Sequence, residues 1–152
     1  MTTLSTPPLS TLLARLFADA YETDAILDQE VATLLPEERT KMMTGATDYQ
    51  ALYSRMKDFH LAVSRETGTL LYMLARATGA RSIIEFGTSF GVSTLHLAAA
   101  LKDNGGGHLI GTEFEPSKVV HARENIDAAG FSNLVEIREG DALQSLAHNR
   151  YD

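Results

Sequence analysis

Glu85 lies in a glycine-containing segment whose composition suits a polar ligand. Residues 85–94 read Glu-Phe-Gly-Thr-Ser-Phe-Gly-Val-Ser-Thr and follow the apolar run Ser-Ile-Ile. Gly87 and Gly91 allow the backbone to approach a ligand closely, and the free N–H groups at the start of the next helix can bind a carboxylate. Because a carboxylate in an apolar strand is costly unless it is hydrogen-bonded, we expect Glu85 to face a ligand crevice. The alternative is an ordinary tight turn in which backbone amides donate to Glu85.

Glu113 ends the next apolar stretch, in the segment Gly-Thr-Glu-Phe-Glu-Pro at 111–116. An acidic residue at the end of a second strand can accept hydrogen bonds from both hydroxyls of an adenosine ribose, as in nicotinamide and S-adenosylmethionine enzymes. The alternative is a solvated carboxylate near a helix start, stabilised by the helix dipole. Glu115, which precedes Pro116, fits that alternative better than Glu113 does.

Asp141 follows a third predicted strand, Val-Glu-Ile-Arg at 135–138, and lies between Gly140 and Ala142. Its carboxylate can accept a hydrogen bond from an adenine amino group. For this residue taken alone, capping of the helix that starts at Ala142 is the favoured interpretation.

The glycine spacing favours a methyl donor over a dinucleotide. A dinucleotide site needs Gly-x-Gly-x-x-Gly so that the backbone can approach a pyrophosphate. Here the spacing is Gly87-x-x-x-Gly91, and Ser89 stands where the second glycine should be. S-adenosylmethionine has no phosphate and ends in an amino-acid group, which loop amides and a hydroxyl such as that of Ser93 suit better.

Predicted strands position these residues. Short runs predict strands at 82–86, 108–112 and 135–138, which alternate with helices at 94–101, 116–129 and 142–147. This alternation predicts parallel strands with right-handed crossovers, hence an open α/β sheet whose ligands bind at the carboxyl ends of the strands. The first strand is expected to be buried on both faces.

The residues before the first strand are predicted to be helical. Leucines recur at helical spacing after Pro7-Pro8 and the pattern continues to Pro36, while Thr47 and Gln50 form a capping-box signal for a further helix. Another helix is predicted from Ser64 to a stop at Gly79. Its predicted buried residues are Leu70, Leu71, Met73, Leu74 and Ala77.

Composition excludes several classes of function. The 152 residues include no cysteine, which rules out disulfides and cysteine-based metal or redox sites, and the net charge is −7. Nucleic-acid binding is disfavoured because no Lys/Arg cluster is present to displace counterions. No apolar run approaches membrane-spanning length and the first residues lack signal-peptide features, so a cytoplasmic protein is the simplest expectation.

The five histidines offer no metal site by spacing with Asp or Glu. His96 is expected to pack in a helix, and His108, His121 and His148 to lie on the surface. His60 could reach an acceptor, but a lone histidine without a partner is weak support for catalysis.

Together these stretches resemble the small class I S-adenosylmethionine-dependent O-methyltransferases of the catechol and caffeoyl-coenzyme A type, including bacterial relatives. The resemblance runs from about Leu61 to Asp152 and is strongest at 85–94, at 111–116 with the helical segment 122–125, and at 140–142. It implies a Rossmann-like, doubly wound parallel sheet. Residues 61–152 would form the S-adenosylmethionine-binding half-domain and residues 1–60 an N-terminal helical cap, which in the family shapes the acceptor pocket or a subunit contact such as a homodimer.

The resemblance also implies the donor contacts. Ala62 and Val63 would contact the methionine carboxylate, Glu113 would hold the ribose, and Asp141 with Ala142 would flank the adenine. The residues expected to line the amino-acid end are Glu85, Gly87, Thr88, Ser89 and Ser93.

The sequence departs from the family at its end. Relatives hold a magnesium-type divalent metal on an Asp at the end of the fourth strand and on an Asp-Asn pair after the fifth. This sequence stops at Asp152, where the fourth strand is expected to begin, so the metal ligands and the usual catalytic lysine are expected to lie outside it. We expect methyl transfer to a hydroxyl of a small, catechol-like acceptor by a longer parent chain. The alternatives are a non-catalytic or incomplete adenosyl-binding fragment and, less favoured, a nicotinamide-dependent oxidoreductase.

Overall fold

The computed structural model describes residues 2–43 and 53–147. After a short 3-10 turn, the helices are α1 (Leu9–Thr33), α2 (Pro36–Met43), α3 (Arg65–Ala77), α4 (Val92–Asp103), α5 (Pro116–Ala128) and α6 (Ala142–Ser145). The strands are β1 (Ser82–Phe86), β2 (His108–Glu113) and β3 (Val135–Glu139). The capping-box signal at Thr47 and Gln50, as well as His148 and Asp152, lies outside the described residues.

The described strands form one parallel sheet in the order β1-β2-β3, which confirms the predicted α/β architecture. Ser82 pairs with His108, and Leu109 pairs with Val135. Gly111 in β2 has no room for a side chain, because a Cβ there would lie 2.8 Å from the Ile137 Cδ1 and closer still to the Thr88 hydroxyl. The close approach of that hydroxyl brings the loop after β1 against the end of β2.

The core lies between the sheet, helices α3, α4 and α5, and the first half of α1. Helix α4 is buried along most of its length, including Leu95 and Leu101. The segment from Leu9 to Pro36, which has a helical periodicity, forms the single helix α1 as far as Thr33. Only its first half, as far as Ala20, contributes buried side chains.

The predicted buried face of α3 is wrong. Leu70, Met73 and Leu74 are exposed, whereas Gly68, Tyr72 and Ala75 are buried. The reason is the close approach to α4: a Cβ at Gly68 would lie 2.7 Å from the His96 ring. Helix α3 therefore contacts α4 on the side that carries Gly68 and Ala75, and its exposed leucines and methionine lie on the other side. Leu71 is half-buried and Ala77 is exposed.

The expectation that β1 is buried on both faces is also wrong for the described residues. Ile84 is 39% exposed and Phe86 is 75% exposed. Alternate residues of a strand share a face, so both side chains lie on the same side of β1. This face of β1 is therefore open to solvent in the described part of the chain, whereas Glu85 on the opposite face is buried. In the described part of the chain, no helix has the length and apolar character needed to cross a membrane.

Candidate functional site

The carboxyl ends of β1, β2 and β3 surround a cavity of about 370 Å³. Four of the sequence-predicted residues, Gly87, Glu113, Asp141 and Ala142, meet there although they come from three separate loops. The remaining lining is mostly apolar or small: Tyr53, Phe86, Thr112, Phe114, Gly140 and Leu143.

A second, smaller cavity of about 50 Å³ lies on the other side of Gly87. It is lined by the predicted residues Ala62, Val63, Gly87, Thr88, Ser89 and Ser93, together with His60, Leu61, Phe90 and Val92. Gly87 borders both cavities, has a φ of +81°, and has no atom within 4 Å of the point where a Cβ would be. A side chain at this position would be strained and would project into the open space at the junction.

Glu85 lines neither cavity. Its carboxylate is buried beneath the loop and accepts hydrogen bonds from the hydroxyls of Ser93 (2.6 Å), Thr88 (3.0 Å) and Thr94. Neither the expected crevice-facing position nor the alternative with backbone amides describes this arrangement, because three side-chain hydroxyls supply the donors. Burial raises the pKa of Glu85, although these hydrogen bonds oppose the rise.

Glu113 is only 7% exposed, which is inconsistent with a solvated helix-start carboxylate. Its Oε2 accepts a hydrogen bond from the backbone N–H of Ser89 at 2.7 Å, and its Oε1 accepts one from the N–H of Glu115 at 2.9 Å. These two bonds fix the orientation of the carboxylate at the wall of the larger cavity. Each carboxylate oxygen can accept more than one hydrogen bond, so the group retains capacity for a ligand.

Asp141 is the N-cap of α6, which confirms the capping interpretation. Its side chain accepts a hydrogen bond from the N–H of Leu143 at 2.9 Å. The preceding Gly140 has a φ of +107° and donates its N–H to the backbone oxygen of Glu113 at 2.8 Å. The β3–α6 turn is therefore held against the end of β2, and Asp141 and Ala142 lie at the same cavity as Glu113.

The segment that contains Ala62 is positioned from α1. The carboxylate of Asp24 accepts hydrogen bonds from the backbone N–H groups of Leu61 (3.1 Å) and Ala62 (3.3 Å). The Ser89 hydroxyl donates to the backbone oxygen of His60 at 2.6 Å and joins the same segment to the loop after β1. Sequence reasoning missed Asp24, since a surface-like acid 37 residues away gives no local signal.

His60 is buried, and its ring packs on the loop after β1. Its ring stacks on Phe90 with 4.1 Å between centroids, and its Nδ1 lies 3.1 Å from the Thr23 hydroxyl. Burial lowers the pKa of His60. His96 is a buried packing residue as predicted, and the expected surface positions of His108 and His121 are also observed.

Lys118 was not identified from the sequence. It is only 3% exposed, and its Nζ donates to the Ser89 hydroxyl at 3.1 Å. From the sequence, a lysine in the first turn of a helix is expected to be solvated. Lys118 is buried because α5 packs against the β1–α4 loop.

The described residues do not fit the metal that the resemblance implied. They contain no group of three or more His, Asp or Glu side chains able to hold a metal ion. The two acids at the larger cavity, Glu113 and Asp141, are engaged by backbone N–H groups. We therefore assign no metal ligand and no metal-dependent step to these residues.

Known proteins similar to this chain include O-methyltransferases. The sequence profile of the O-methyltransferase family matches residues 40–151. The chain is similar to catechol O-methyltransferases of Niastella koreensis (41% identity) and Mycobacterium tuberculosis (37% identity), in each case over 86 residues that make up 57% of this chain and 38% of the relative. The chain thus spans less than half the length of these curated relatives.

Solved structures give the same result. The O-methyltransferase of Bacillus cereus, in complex with S-adenosylhomocysteine, matches with a TM-score of 0.57 and 27% identity over 90% of this chain and 59% of that one. The O-methyltransferase TomG of Streptomyces achromogenes, in complex with S-adenosylmethionine, matches with a TM-score of 0.56 and 32% identity over 75% of this chain and 56% of that one. The chain therefore belongs to the O-methyltransferase family, with a partial Rossmann-like fold of the class I methyltransferase type.

Proposed function

We propose that this chain binds S-adenosylmethionine across the two cavities and forms the donor-binding part of an O-methyltransferase. The observation that carries the proposal is the oriented carboxylate of Glu113 at the wall of the larger cavity, with Gly87 open at the junction to the smaller one. A residue with this position and charge can accept hydrogen bonds from two ribose hydroxyls.

The remaining predicted contacts follow from this orientation. The adenine would lie beside Asp141 and Ala142, where Phe114 and Tyr53 provide an apolar wall. The amino-acid end would pass Gly87 into the smaller cavity, towards Ala62, Val63, Thr88, Ser89 and Ser93. Glu85 would act indirectly, because it holds the hydroxyls of Thr88 and Ser93.

When bound, S-adenosylmethionine would supply an electrophilic methyl group: the acceptor oxygen would bond to the methyl carbon as the carbon–sulfur bond breaks, which leaves S-adenosylhomocysteine, and the hydroxyl proton would be lost to a base or to solvent. The residues of this chain would hold the donor in one orientation and exclude water from it, which reduces the entropic barrier to transfer. We propose a small hydroxylated acceptor of the catechol type, in line with the names of the two curated relatives.

We also propose that residues 1–60 form a cap and residues 61–152 the donor-binding half-domain. The contact of Asp24 with the backbone of Leu61 and Ala62 supports a cap that contributes to the site rather than a separate unit.

Titration calorimetry of the chain with S-adenosylmethionine, S-adenosylhomocysteine and NADH tests the proposal. We expect both adenosyl ligands to bind more tightly than NADH, because the loop has Ser89 where a dinucleotide site needs a glycine. Tighter binding of NADH would contradict the proposed donor and favour the nicotinamide-dependent alternative.

A further inference from the structure

Lys118 is a buried cation that the proposed donor contacts do not use. It lies in the first turn of α5 and is only 3% exposed. Removal of an ammonium group from water is costly unless opposite charge and hydrogen bonds compensate. Burial lowers the pKa of Lys118, and the nearby carboxylate of Glu113 is the largest of the effects that oppose this shift.

The hydrogen bond of Lys118 ends on a residue with an unusual backbone. Its Nζ donates to the Ser89 hydroxyl at 3.1 Å, and Ser89 has a φ of +49°, in the left-handed region that few non-glycine residues adopt. Such a conformation persists only where the surrounding contacts enforce it. The ammonium also lies 5.7 Å from the centre of the Phe90 ring, so it contacts the loop at two successive residues.

Ser89 in turn connects three parts of the site. Its hydroxyl donates to the backbone oxygen of His60 at 2.6 Å, next to the smaller cavity. Its backbone N–H donates to the Oε2 of Glu113 at 2.7 Å, at the larger cavity. A shift of Ser89 would therefore change both cavities.

We propose that Lys118 is a positioning residue for the donor site: its ammonium holds the Ser89 turn, and through the Ser89 N–H it fixes the carboxylate of Glu113. The effect on ligand affinity rests on the proposed function, whereas the effect on the turn does not. Lys118 is not a catalytic residue in this scheme, because it lines neither cavity.

The test uses Lys118→Met, which keeps most of the apolar stem and removes the charge and the hydrogen bond. Lys102→Met is the matched control, since Lys102 is exposed on α4 and its ammonium contacts the Phe131 ring outside the site. Amide hydrogen exchange is followed at Ser89 and at Leu109, whose N–H bonds to Leu134 in the sheet and reports on global opening. The affinity for S-adenosylhomocysteine is measured on the same proteins.

We expect Lys118→Met to speed exchange at Ser89 by about tenfold and to weaken binding of S-adenosylhomocysteine by about tenfold. Exchange at Leu109 is expected to stay unchanged, and Lys102→Met is expected to behave as the wild type. If Lys118→Met does not fold, Lys118→Gln removes the charge but keeps a polar side chain and leaves the Ser89–His60 bond intact, and the amide of Ser89 is again expected to exchange faster than in the wild type.

Unchanged exchange at Ser89 would overturn the proposal. Equal acceleration at Ser89 and Leu109 would also overturn it, because it would mean that Lys118 supports only global stability. Unchanged affinity for S-adenosylhomocysteine in Lys118→Met would overturn the positioning of the ligand site. Failure of the wild-type chain to bind S-adenosylhomocysteine would refute the proposed function instead, and exchange at Ser89 would still decide the role of Lys118.

Discussion

Replacement of Glu113 by alanine separates the ligand-binding and structural roles of this carboxylate. The substitution removes the acceptor for the N–H groups of Ser89 and Glu115, both of which are part-buried. A hydrogen bond to a charged group contributes about 1.5–3 kcal/mol, but water can reach part-buried amides and recover some of that amount. We expect the free energy of unfolding to fall by about 2 kcal/mol, which leaves the protein folded if its stability is ordinary.

The loss of affinity has a separate origin. Two ribose hydroxyls would lose their charged acceptor, which should cost roughly 1.5–3 kcal/mol, about one to two decades in the dissociation constant. Titration calorimetry of Glu113→Ala with S-adenosylhomocysteine measures this loss. A 2′-deoxy analogue of the ligand provides the matching deletion on the other side of the contact. It should bind the wild type more weakly than S-adenosylhomocysteine does, whereas Glu113→Ala should distinguish poorly between the two.

Glu115→Ala is the matched control, because it removes a neighbouring carboxylate but keeps the backbone N–H that donates to Glu113. The side chain of Glu115 accepts a hydrogen bond from the Ser117 hydroxyl and makes no side-chain cap bond to α5. The Glu115→Ala protein should bind S-adenosylhomocysteine as tightly as the wild type does. The reasoning is refuted if Glu113→Ala and the wild type bind this ligand equally, or if the 2′-deoxy analogue loses as much affinity for Glu113→Ala as for the wild type.

Three further substitutions test the surroundings of the site. Asp141→Ala should lower the free energy of unfolding, measured by urea unfolding, by about 1 kcal/mol because the α6 cap is lost, and a stability equal to that of the wild type would count against the cap. Calorimetry should show a smaller loss of ligand affinity for Asp141→Ala than for Glu113→Ala. Burial raises the pKa of Glu85, so the free energy of unfolding of the wild type should fall as the pH rises from the ordinary glutamate range to that raised pKa. In urea unfolding over the same pH range, the stability of Glu85→Gln should depend less on pH, and an equal pH dependence of the two proteins would argue against the raised pKa. Burial alone would raise the pKa of Asp103, but hydrogen bonds from Thr3 and Tyr72 outweigh burial and lower the pKa. The free energy of unfolding that the ionised Asp103 contributes should therefore be lost as the pH falls through this lowered pKa, and Asp103→Asn should lack this contribution. Identical acid unfolding of the two proteins would be the contrary result.

Local chemistry was enough to predict the strands and the carboxyl-end residues. The short runs at 82–86, 108–112 and 135–138 predicted three strands, and these agree with β1, β2 and β3 to within a residue at either end. Parallel connection follows from the alternation with helices, because a parallel pair requires a crossover. Once the strands are parallel, residues at their carboxyl ends must meet at one edge, which is why residues distant in sequence line one cavity.

Burial faces could not be predicted in the same way. The periodicity of α3 marks a leucine-rich side, yet the contact with α4 goes through Gly68 and Ala75, because two helices approach most closely where side chains are smallest. The exposure of Ile84 and Phe86 depends on whether another element packs on their face of the sheet, and no property of the strand's own residues specifies that.

The sequence by itself determined the type of each strand-end residue and the glycine spacing, since both are properties of consecutive residues. Only the tertiary structure decided which side chains orient them. Asp24 reaches Ala62, three hydroxyls surround Glu85, and Lys118 reaches Ser89, through contacts made between separate elements. A surface-like acid or lysine has no local signature of such a role, because burial and hydrogen bonding arise only when α1, α5 and the β1–α4 loop pack together.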